Sequence, residues 1–438
     1  MRCAELSRPI HFLRDALPMR MAVLAMVVCV QSGLAGEVQV IAPDGAWTWF
    51  NDPRAVLRGD VLCAGYVRRD GRVCATTCDL KTNRRIEVEL SSWTERDDHD
   101  NPAFVRLADG RLAAFYAAHG SKKFWNYRVA RNPTPRAADD WGPERSVDLS
   151  QQSLRGGVTY NNPFLLPRET NRLYNFMRGI QWNPTLQTSE DGGDTWNSPI
   201  HLIRSPDRPY VKYASNGRDR IDLAFTDGHP RTTDNSVHHV YLENGVLHRT
   251  DGTPLGRLGE VTPIELSAAT TVYGFGSAYP KGRAWVWDIA YDDSGAPVIA
   301  HTVKAATNDI RYFYATWDVA GRKWHSREIA EAGPFLYRSE QDYVGGITLD
   351  PVIRGVVYLS TPVDPRSGRP TPHREIYRGQ TNDRGKSWSW EAVTQNSDRD
   401  NLRPYVPREH TMKICLLWFR GTYRAYTDYE CEVVGLFE

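Results

Sequence analysis

Two eight-residue segments share one turn pattern, and this pattern restricts the chain to few folds. Ser189–Trp196 matches S-x-D-x-G-x-T-W at every defined position, and Thr381–Trp388 matches it with Thr for Ser and Ser for Thr. In such an Asp-box turn the Asp carboxylate accepts from backbone N–H groups, glycine takes a positive φ, and Trp packs into the sheet. Two copies predict a β-propeller, with the turns remote from the ligand-binding face.

Short β-rich runs separated by turn signals fill the rest of the chain. Residues 103–107 and 112–116 flank Asp109-Gly110, for example, and no segment has the pattern of a long amphipathic helix. Even hairpin spacing over about 400 residues favours a closed, radially repeated sheet. At roughly 45–50 residues a blade, seven or eight blades are possible. We predict an all-β fold, a single seven-bladed β-propeller over residues 37–438.

The N-terminus has the pattern of a secretory signal peptide. Basic Arg20 precedes an apolar stretch at 22–30, and small residues follow near Ala35 and Gly36. The stretch is shorter than the about 20 residues that a membrane span needs. We predict a signal peptide over residues 1–36, of which 1–18 look like an overlong start. The mature protein would then be secreted or periplasmic, with no membrane span.

Charge and cysteine content limit the partners and cross-links. The formal net charge is +1, with no basic run or tail, so nucleic acid is not an expected partner. An acidic ligand must instead meet a local cluster of cationic side chains. In an oxidising compartment Cys63 could pair with Cys74, and Cys415 with Cys431, leaving one of the five mature cysteines unpaired.

Two histidines flank one predicted hairpin. His99 precedes the strand at 103–107, and His119 follows the strand at 112–116. Because the strands of a hairpin are antiparallel, both histidines should fall at the same end of it. Two histidines at one rim of a propeller could form a site, or they could be two surface histidines.

The next hairpin repeats this arrangement with Tyr160 and Arg178. Tyr160 opens one strand and Arg178 ends its partner, so both should reach the same rim. Arg presents a fork to a carboxylate, while His and Tyr can transfer protons. This set suits β-elimination from a uronic acid, in which the C6 carboxylate is neutralised and the C5 proton is removed. Asp97, Asp98 and Asp100 keep open a hydrolase with two carboxylates.

A third cluster of histidines suggests a metal. His229 with His238 or His239 could bind zinc, or these could be loop histidines that face solvent.

Several segments together resemble the BNR-4 type of Asp-box repeat proteins, which include seven-bladed polysaccharide lyases similar to ulvan lyases and rhamnosyl-glucuronate lyases. The resemblance runs from about Trp47 to Tyr429, and the order His, His, Tyr, Arg is its most specific part. Its segments are DDHDNPAF, VTYNNP, FMRG, SEDGGDTW, RPYVKYA, FTDGHPR, AWVWDIA and NLRPYVP.

This resemblance implies roles for individual residues. His99 and Tyr160 would transfer protons, His119 and Arg178 would neutralise the uronate carboxylate, and Tyr210 would bind substrate. In glucuronate H5 and O4 lie on one face of the ring, so Tyr160 could act as both base and acid. In iduronate they lie on opposite faces, and His99 would take the proton. The family can also hold a structural zinc, for which His229 and His239 are our candidates. The chemistry itself requires no cofactor.

We therefore expect a monomeric polysaccharide lyase that cuts the bond from rhamnose to O4 of glucuronate. Candidate polymers are ulvan and rhamnose-capped arabinogalactans or gums. The alternatives are a non-catalytic carbohydrate-binding propeller and a sialidase-like hydrolase. The hydrolase would need three converging arginines and a Tyr–Glu pair, which the sequence does not reveal.

Overall fold

The fold is known from a computed structural model, which describes residues 36–438. The described residues form an all-β structure whose only helices are four 3-10 turns, at Asp98–Asp100, Ala138–Asp140, Pro167–Glu169 and Leu266–Ala268. None of these helices is long and apolar enough to cross a membrane. The predicted signal peptide lies outside the described residues except for Gly36.

Thirty-two strands follow one another along the chain. The first sixteen are β1 (Gln39–Ala42), β2 (Ala55–Arg58), β3 (Val61–Val67), β4 (Arg72–Asp79), β5 (Arg84–Thr94), β6 (Ala103–Arg106), β7 (Leu112–Tyr116), β8 (Phe124–Val129), β9 (Arg145–Asp148), β10 (Leu154–Leu166), β11 (Arg172–Ile180), β12 (Pro184–Ser189), β13 (Ile200–His201), β14 (Ile203–Arg204), β15 (Val211–Ser215) and β16 (Arg220–Thr226). The others are β17 (Val237–Glu243), β18 (Val246–Arg249), β19 (Pro254–Arg257), β20 (Ile264–Glu265), β21 (Thr270–Tyr273), β22 (Arg283–Tyr291), β23 (Pro297–Ala306), β24 (Asp309–Asp318), β25 (Lys323–Gly333), β26 (Ile347–Leu349), β27 (Val356–Asp364), β28 (Arg369–Gln380), β29 (Ser389–Ala392), β30 (Asp400–Tyr405), β31 (Cys415–Ala425) and β32 (Asp428–Phe437).

These strands form seven blades, which confirms the predicted seven-bladed β-propeller. Blades 1, 2 and 3 are β2–β5, β6–β9 and β10–β13, while blades 5 and 6 are β22–β25 and β26–β29. Blade 7 combines β30, β31 and β32 with β1, so the first strand of the chain closes the ring. First strands of neighbouring blades contact one another around the axis, among them β2 with β6 and β22 with β26.

Blade 4 departs from the four-stranded pattern. Its third strand, β17, pairs with β21 along its first half and with β18 along its second half, and β19 pairs with β18. A short parallel pair, β14 with β20, joins the end of blade 3 to this insertion.

Strand alternation gives the ring two distinct faces. We call the side where the first strand of each blade begins the upper face, and the side where it ends the lower face. Loops between the second and third strands therefore lie on the upper face, and loops between the third and fourth strands lie on the lower face.

Both Asp-box turns lie on the lower face, between the third and fourth strands of blades 3 and 6. Asp191 accepts from the Thr195 N–H at 2.9 Å and its hydroxyl at 2.6 Å, and Asp383 accepts from Ser387 at the same distances. The tryptophan of each turn packs edge-on against a ring of the preceding blade, Trp125 and Tyr314 respectively. The turns thus fasten neighbouring blades and take no part in the upper face.

The predicted disulfides do not form, because their cysteines are not opposite each other. Cys63 pairs across its hairpin with Thr77, and Cys74 with Tyr66. Cys415 likewise lies opposite Phe437, and Cys431 lies opposite Gly421. All five cysteines in residues 36–438 are free and buried, so they act as small core residues.

The axis below the upper face is filled by aromatic rings. Trp49 stacks on Trp287 with ring centroids 4.0 Å apart, and Trp285 and Tyr343 meet Trp49 edge-on at 5.0 Å. All four side chains are buried. These rings give the upper-face residues a rigid floor that excludes water.

Candidate active site

His99 and His119 meet on the upper face, as the hairpin argument predicts. Ala103 pairs with Phe115 in blade 2, which places both histidines at the same end of β6 and β7. Their imidazole rings stack with centroids 3.9 Å apart and 6° between planes. Tyr426 contacts both rings edge-on from blade 7, at 5.0 and 5.6 Å. His99 is only 1% exposed, whereas 21% of the His119 side chain is exposed to solvent.

Asp97 fixes the orientation of both histidines. Its two carboxylate oxygens lie 2.6 Å from His99 Nδ1 and 2.8 Å from His119 Nδ1. Because a carboxylate only accepts hydrogen bonds, both Nδ1 atoms must donate to it. Asp97 also accepts from the His99 backbone N–H as the cap of the 3-10 turn at Asp98–Asp100. The local turn and the two imidazoles are therefore held by one side chain.

The two imidazoles carry different charges. Burial opposes the imidazolium of His99, but Asp97 and Asp98 outweigh burial and raise the pKa of His99 to about 9. Burial and the charge of His99 lower the pKa of His119 to about 4, although Asp97 draws it upward. Burial would favour neutral Asp97, yet the two histidines hold its pKa below its usual range. At neutral pH His99 is thus cationic, and His119 is neutral with an unprotonated Nε2.

Tyr160 reaches the same rim from an irregular part of β10. Its φ is +65°, and the register with β11 shifts between Thr159 and Asn162. A positive φ is uncommon for a non-glycine residue, and bulges of this kind redirect side chains near functional sites. The phenol makes no hydrogen bond with any described residue although it is buried.

Asparagine side chains hold this bulge in place. Asn162 donates to the Phe50 carbonyl at 2.9 Å and accepts from the Asp52 N–H at 3.1 Å. Asn51 accepts from the Asn161 N–H at 3.2 Å and donates to the His99 carbonyl at 2.7 Å. Asn51 therefore joins the backbone that carries His99 to the backbone that carries Tyr160.

Arg178 lies beside Tyr160, again as the hairpin pairing predicts. It is 6% exposed, and its guanidinium carbon stands 4.7 Å from the ring centroid of Tyr160, 5.2 Å from Tyr210 and 5.4 Å from Trp182. None of the carboxylates in residues 36–438 forms an ion pair with it, and its Nη1 has no hydrogen-bond partner there. A buried cation without a counter-charge is costly, so this position is built to receive an anion.

The pKa values of the two phenols beside Arg178 shift in opposite directions. Burial raises the pKa of Tyr160 well above its usual value, although Arg178 draws it down. Burial also opposes ionisation of Tyr210, but there the charges of Arg178, His99 and Arg208 together outweigh burial and lower the pKa of Tyr210. Tyr160 is therefore a proton donor at neutral pH, and Tyr210 is the more acidic of the pair.

A network from blade 7 supports the histidines from behind. Arg403 donates to Asp98 Oδ2 at 3.0 Å and to the Tyr423 hydroxyl at 2.8 Å, and Tyr423 donates to the same Asp98 oxygen at 2.6 Å. The other oxygen of Asp98 lies 3.1 Å from His99 Nδ1. These side chains are buried, and Tyr343 completes the set with its hydroxyl 3.2 Å from His99 Nε2.

The three aspartates of the 97–100 segment do not form a hydrolase pair. Asp97 is bonded to both histidines and Asp98 to Arg403, while Asp100 is fully buried. Burial and the charge of Asp97 raise the pKa of Asp100 well above its usual value. Two free carboxylates on the upper face are therefore not available from this segment, and the arrangement gives no support to hydrolysis.

His229 and His239 do not fit a zinc site together. His239 has Nδ1 2.8 Å from the Thr250 hydroxyl and Nε2 3.0 Å from Asp222, so both of its nitrogens are occupied. His229 accepts from the Arg231 N–H at 3.0 Å. Within residues 36–438 the only cluster of three potential metal-ligating side chains is Asp97, His99 and His119, where hydrogen bonds account for the contacts.

The structure brings together five of the residues predicted from the sequence and adds the side chains that support them. His99, His119, Tyr160, Arg178 and Tyr210 meet on the upper face, and His229 lies next to Tyr210 with ring centroids 5.4 Å apart. His239 lies apart from them, inside blade 4. Sequence reasoning missed the roles of Asp97, Tyr343 and Arg403. The turn-forming position of Asp97, two residues before His99, is the one signal that could have revealed its part.

Comparisons with known proteins agree with this architecture. A family model described as "BNR repeat-containing family member" matches residues 63–332. No curated protein sequence matches the chain. The structure is similar to a PL25 ulvan lyase bound to -[GlcA(1-4)Rha3S]-, with a TM-score of 0.68, 14% identity, and coverage of 92% of this chain and 96% of that one. It is also similar to the polysaccharide lyase Uly1, with a TM-score of 0.54, 10% identity, and coverage of 91% and 97%. At these identities the likeness establishes the fold.

Proposed function

We propose that this protein, which belongs to the BNR repeat-containing family, is a polysaccharide lyase acting on uronate-containing chains. Its upper face holds a buried cation without a counter-charge. The observation that supports this most directly is Arg178. A planar guanidinium among aromatic rings suits a carboxylate on a sugar ring, because it offers two parallel N–H donors.

The proposed reaction is β-elimination. The C6 carboxylate is neutralised, which makes the C5 proton more acidic. A base removes that proton, the C4–O4 bond breaks, and a C4=C5 double bond forms. An acid gives a proton to the departing O4. The products are an unsaturated uronate and a chain with a new hydroxyl group, and no water or cofactor is consumed.

The charges favour particular residues for each step. Arg178, with the cationic His99 behind His119, would neutralise the carboxylate. His119 is partly exposed and its Nε2 is unprotonated, because Nδ1 carries the proton donated to Asp97, so it could remove the C5 proton. The protonated phenol of Tyr160 could protonate O4. This exchanges the roles that the family resemblance gave to the two histidines. The exchange is supported by the burial of His99 and by its contact with Tyr343.

For the substrate we propose the linkage from rhamnose to O4 of glucuronate, in ulvan or in rhamnose-capped arabinogalactans or gums. The similar PL25 lyase was bound to a glucuronate–rhamnose chain, which supports this choice. In glucuronate H5 and O4 lie on one face of the ring. His119 and Tyr160 both lie on the upper face, with ring centroids 6.3 Å apart, which is compatible with both acting on one face of the sugar.

The test is to incubate the purified protein with these polymers and to follow the ultraviolet absorbance of the unsaturated uronate. Tyr160→Phe and Arg178→Ala should each lower kcat/KM by about 10²-fold or more. The matched controls are Tyr174→Phe and Arg172→Ala, which alter the lower-face end of β11, the strand that carries Arg178.

The pH profile tests the assigned roles. We expect kcat/KM to fall below about pH 4, as His119 becomes protonated, and above about pH 9, as His99 loses its charge. Binding without an unsaturated product would identify a carbohydrate-binding protein instead. New reducing ends without that absorbance would identify a hydrolase.

A further inference from the structure

The lower face of the ring opens into a funnel on the propeller axis. Its volume is about 910 Å³, at the upper end of the range of small-molecule sites. Six blades contribute to it through residues at or just beyond the ends of their first strands, for example Leu107 in blade 2 and Tyr291 in blade 5, and blade 1 contributes Pro53 and Val56. The candidate active site lies at the opposite ends of these strands.

The wall of this funnel is rich in positive charge. It contains five arginines and two glutamates, which are Arg106, Arg218, Arg220, Arg354, Arg408, Glu243 and Glu409. This local excess contrasts with the net charge of +1 for the whole chain. A concave site lined by one sign of charge concentrates ligands of the other sign.

Three of the arginines have no carboxylate partner within residues 36–438. Arg220 is paired with Asp222 at 2.6 Å, and Arg106 lies 3.9 Å from Glu409. Arg218, Arg354 and Arg408 form no such ion pair in that part of the chain. The acidic residue nearest in sequence to Arg218 is Asp219, which is bonded to Arg168 at 2.8 Å. These three guanidinium groups can therefore bind an external anion.

Contacts with the wall fix the positions of two of these charges. Arg408 donates to the Tyr213 carbonyl at 3.1 Å, and its guanidinium stands 4.9 Å from the ring of Phe164. Arg354 donates to the Pro351 carbonyl. Apolar side chains, including Phe104 and Leu165, also line the funnel. A wall with both charged and apolar side chains suits an acidic sugar chain, whose ring faces are apolar and whose carboxylates are charged.

A buried plug separates the funnel from the upper face. Lys212 donates to Asp52 and to the Trp49 carbonyl, and Arg54 lies 3.2 Å from Asp52 and donates to the Thr48 carbonyl at 3.1 Å. The side chains of Asp52, Arg54 and Lys212 are all buried. Ligand in the funnel and ligand at Arg178 would therefore occupy separate sites.

We propose that this funnel is a second binding site for acidic oligosaccharide, remote from the site of cleavage. The choice of ligand rests on the proposed function, since the opposite face is argued to take a uronate. A site of this kind would hold a segment of the polymer while another segment enters the active site, and so raise its effective concentration.

The experiment measures the stoichiometry of oligoglucuronate binding by calorimetry at low ionic strength. The Arg178→Ala variant, which lacks the upper-face anchor, should bind one oligoglucuronate per chain. Adding Arg354→Gln and Arg408→Gln to it should weaken the remaining binding by about tenfold or more, because two charged contacts are lost. Arg218→Gln, at an exposed position, should weaken it less and serves if the other variant does not fold.

The matched control replaces Arg84 and Arg257, two exposed arginines on outer strands, with Gln and should leave binding unchanged. Cellohexaose, which is neutral, should not bind the funnel. Unchanged oligoglucuronate binding after loss of Arg354 and Arg408 would overturn the proposal, as would tighter binding of a single-stranded oligonucleotide. Lyase activity is read separately with short substrates, so failure of the proposed function would be distinguishable from failure of this site.

Discussion

The charge on His99 should make the stability of the protein depend on alkaline pH. Its pKa is about 9 in the folded protein, against 6.5 for an ordinary histidine. A group that binds its proton more tightly in the folded state stabilises that state when it is protonated. For His99 this contribution is fully present below about pH 6.5, the pKa of the unfolded state. That contribution is lost as the pH rises through 9. The difference corresponds to about 3 kcal/mol of unfolding free energy.

His119 should act with the opposite sign at acid pH. Its folded pKa is about 4, so its contribution is present above pH 6.5 and is lost as the pH falls to 4. The pair therefore predicts greatest stability near pH 6.5, with a decline on either side. The alkaline decline is due to His99, and its size depends on the carboxylate of Asp97.

Asp97→Asn tests this reasoning. Without the Asp97 carboxylate, only Asp98 would oppose the effect of burial, and the pKa of His99 should fall well below 9. The alkaline decline in melting temperature should shrink accordingly, and the unfolding free energy at pH 7 should fall by about 2 kcal/mol. Imidazole nitrogen chemical shifts in an NMR titration report the pKa of His99 directly, and thermal melting at pH 6.5 to 9 reports stability.

The control is Asp109→Asn, which alters an exposed turn at the lower face and should leave the titration of His99 unchanged. A His99 pKa that stays near 9 in Asp97→Asn would refute the argument, because the charge would then arise from another source.

Two further substitutions test an Asp-box turn and the buried pair of Arg403 and Asp98. Asp191→Ala in the first Asp-box should lower the melting temperature by about 2 °C in calorimetry and leave kcat unchanged; a loss of activity would contradict its placement on the lower face. Arg403→Met should destabilise the protein by about 3–5 kcal/mol in denaturant unfolding, since Asp98 is left buried without its partner. Adding Asp98→Asn should recover part of that loss, and no recovery would argue against the pairing.

The predictable part of this protein depends on local geometry. Asp-box turns have their own hydrogen bonds, so Ser189–Trp196 identifies a turn without knowledge of the rest of the fold. The antiparallel pairing of a hairpin is equally local. It brings His99 to His119, and Tyr160 to Arg178, from spacing alone.

The remaining features depend on contacts between distant blades. Tyr343 and Arg403 reach the site from blades 6 and 7, and no local pattern shows that they will meet a turn in front of blade 2. The predicted disulfides failed for a related reason. Proximity in a hairpin does not make two residues opposite each other, and the register puts Thr77 rather than Cys74 beside Cys63. The arginines of the funnel are likewise scattered along the sequence.

The closure of the ring by β1 has a consequence for how the chain can fold. Val40 of β1 pairs with Val434 of β32. The first strand of the described chain therefore cannot pair until the last strand, β32, is available. Six blades are contiguous in sequence and can form in order, but the seventh cannot be complete until β32 is available. Among the described residues, this contact carries the largest entropic cost of loop closure, because it joins the residues farthest apart in sequence. It should therefore form late in folding. Once formed, it brings the two ends of the described chain side by side, so a circular permutant that joins them and opens a lower-face loop would keep every blade.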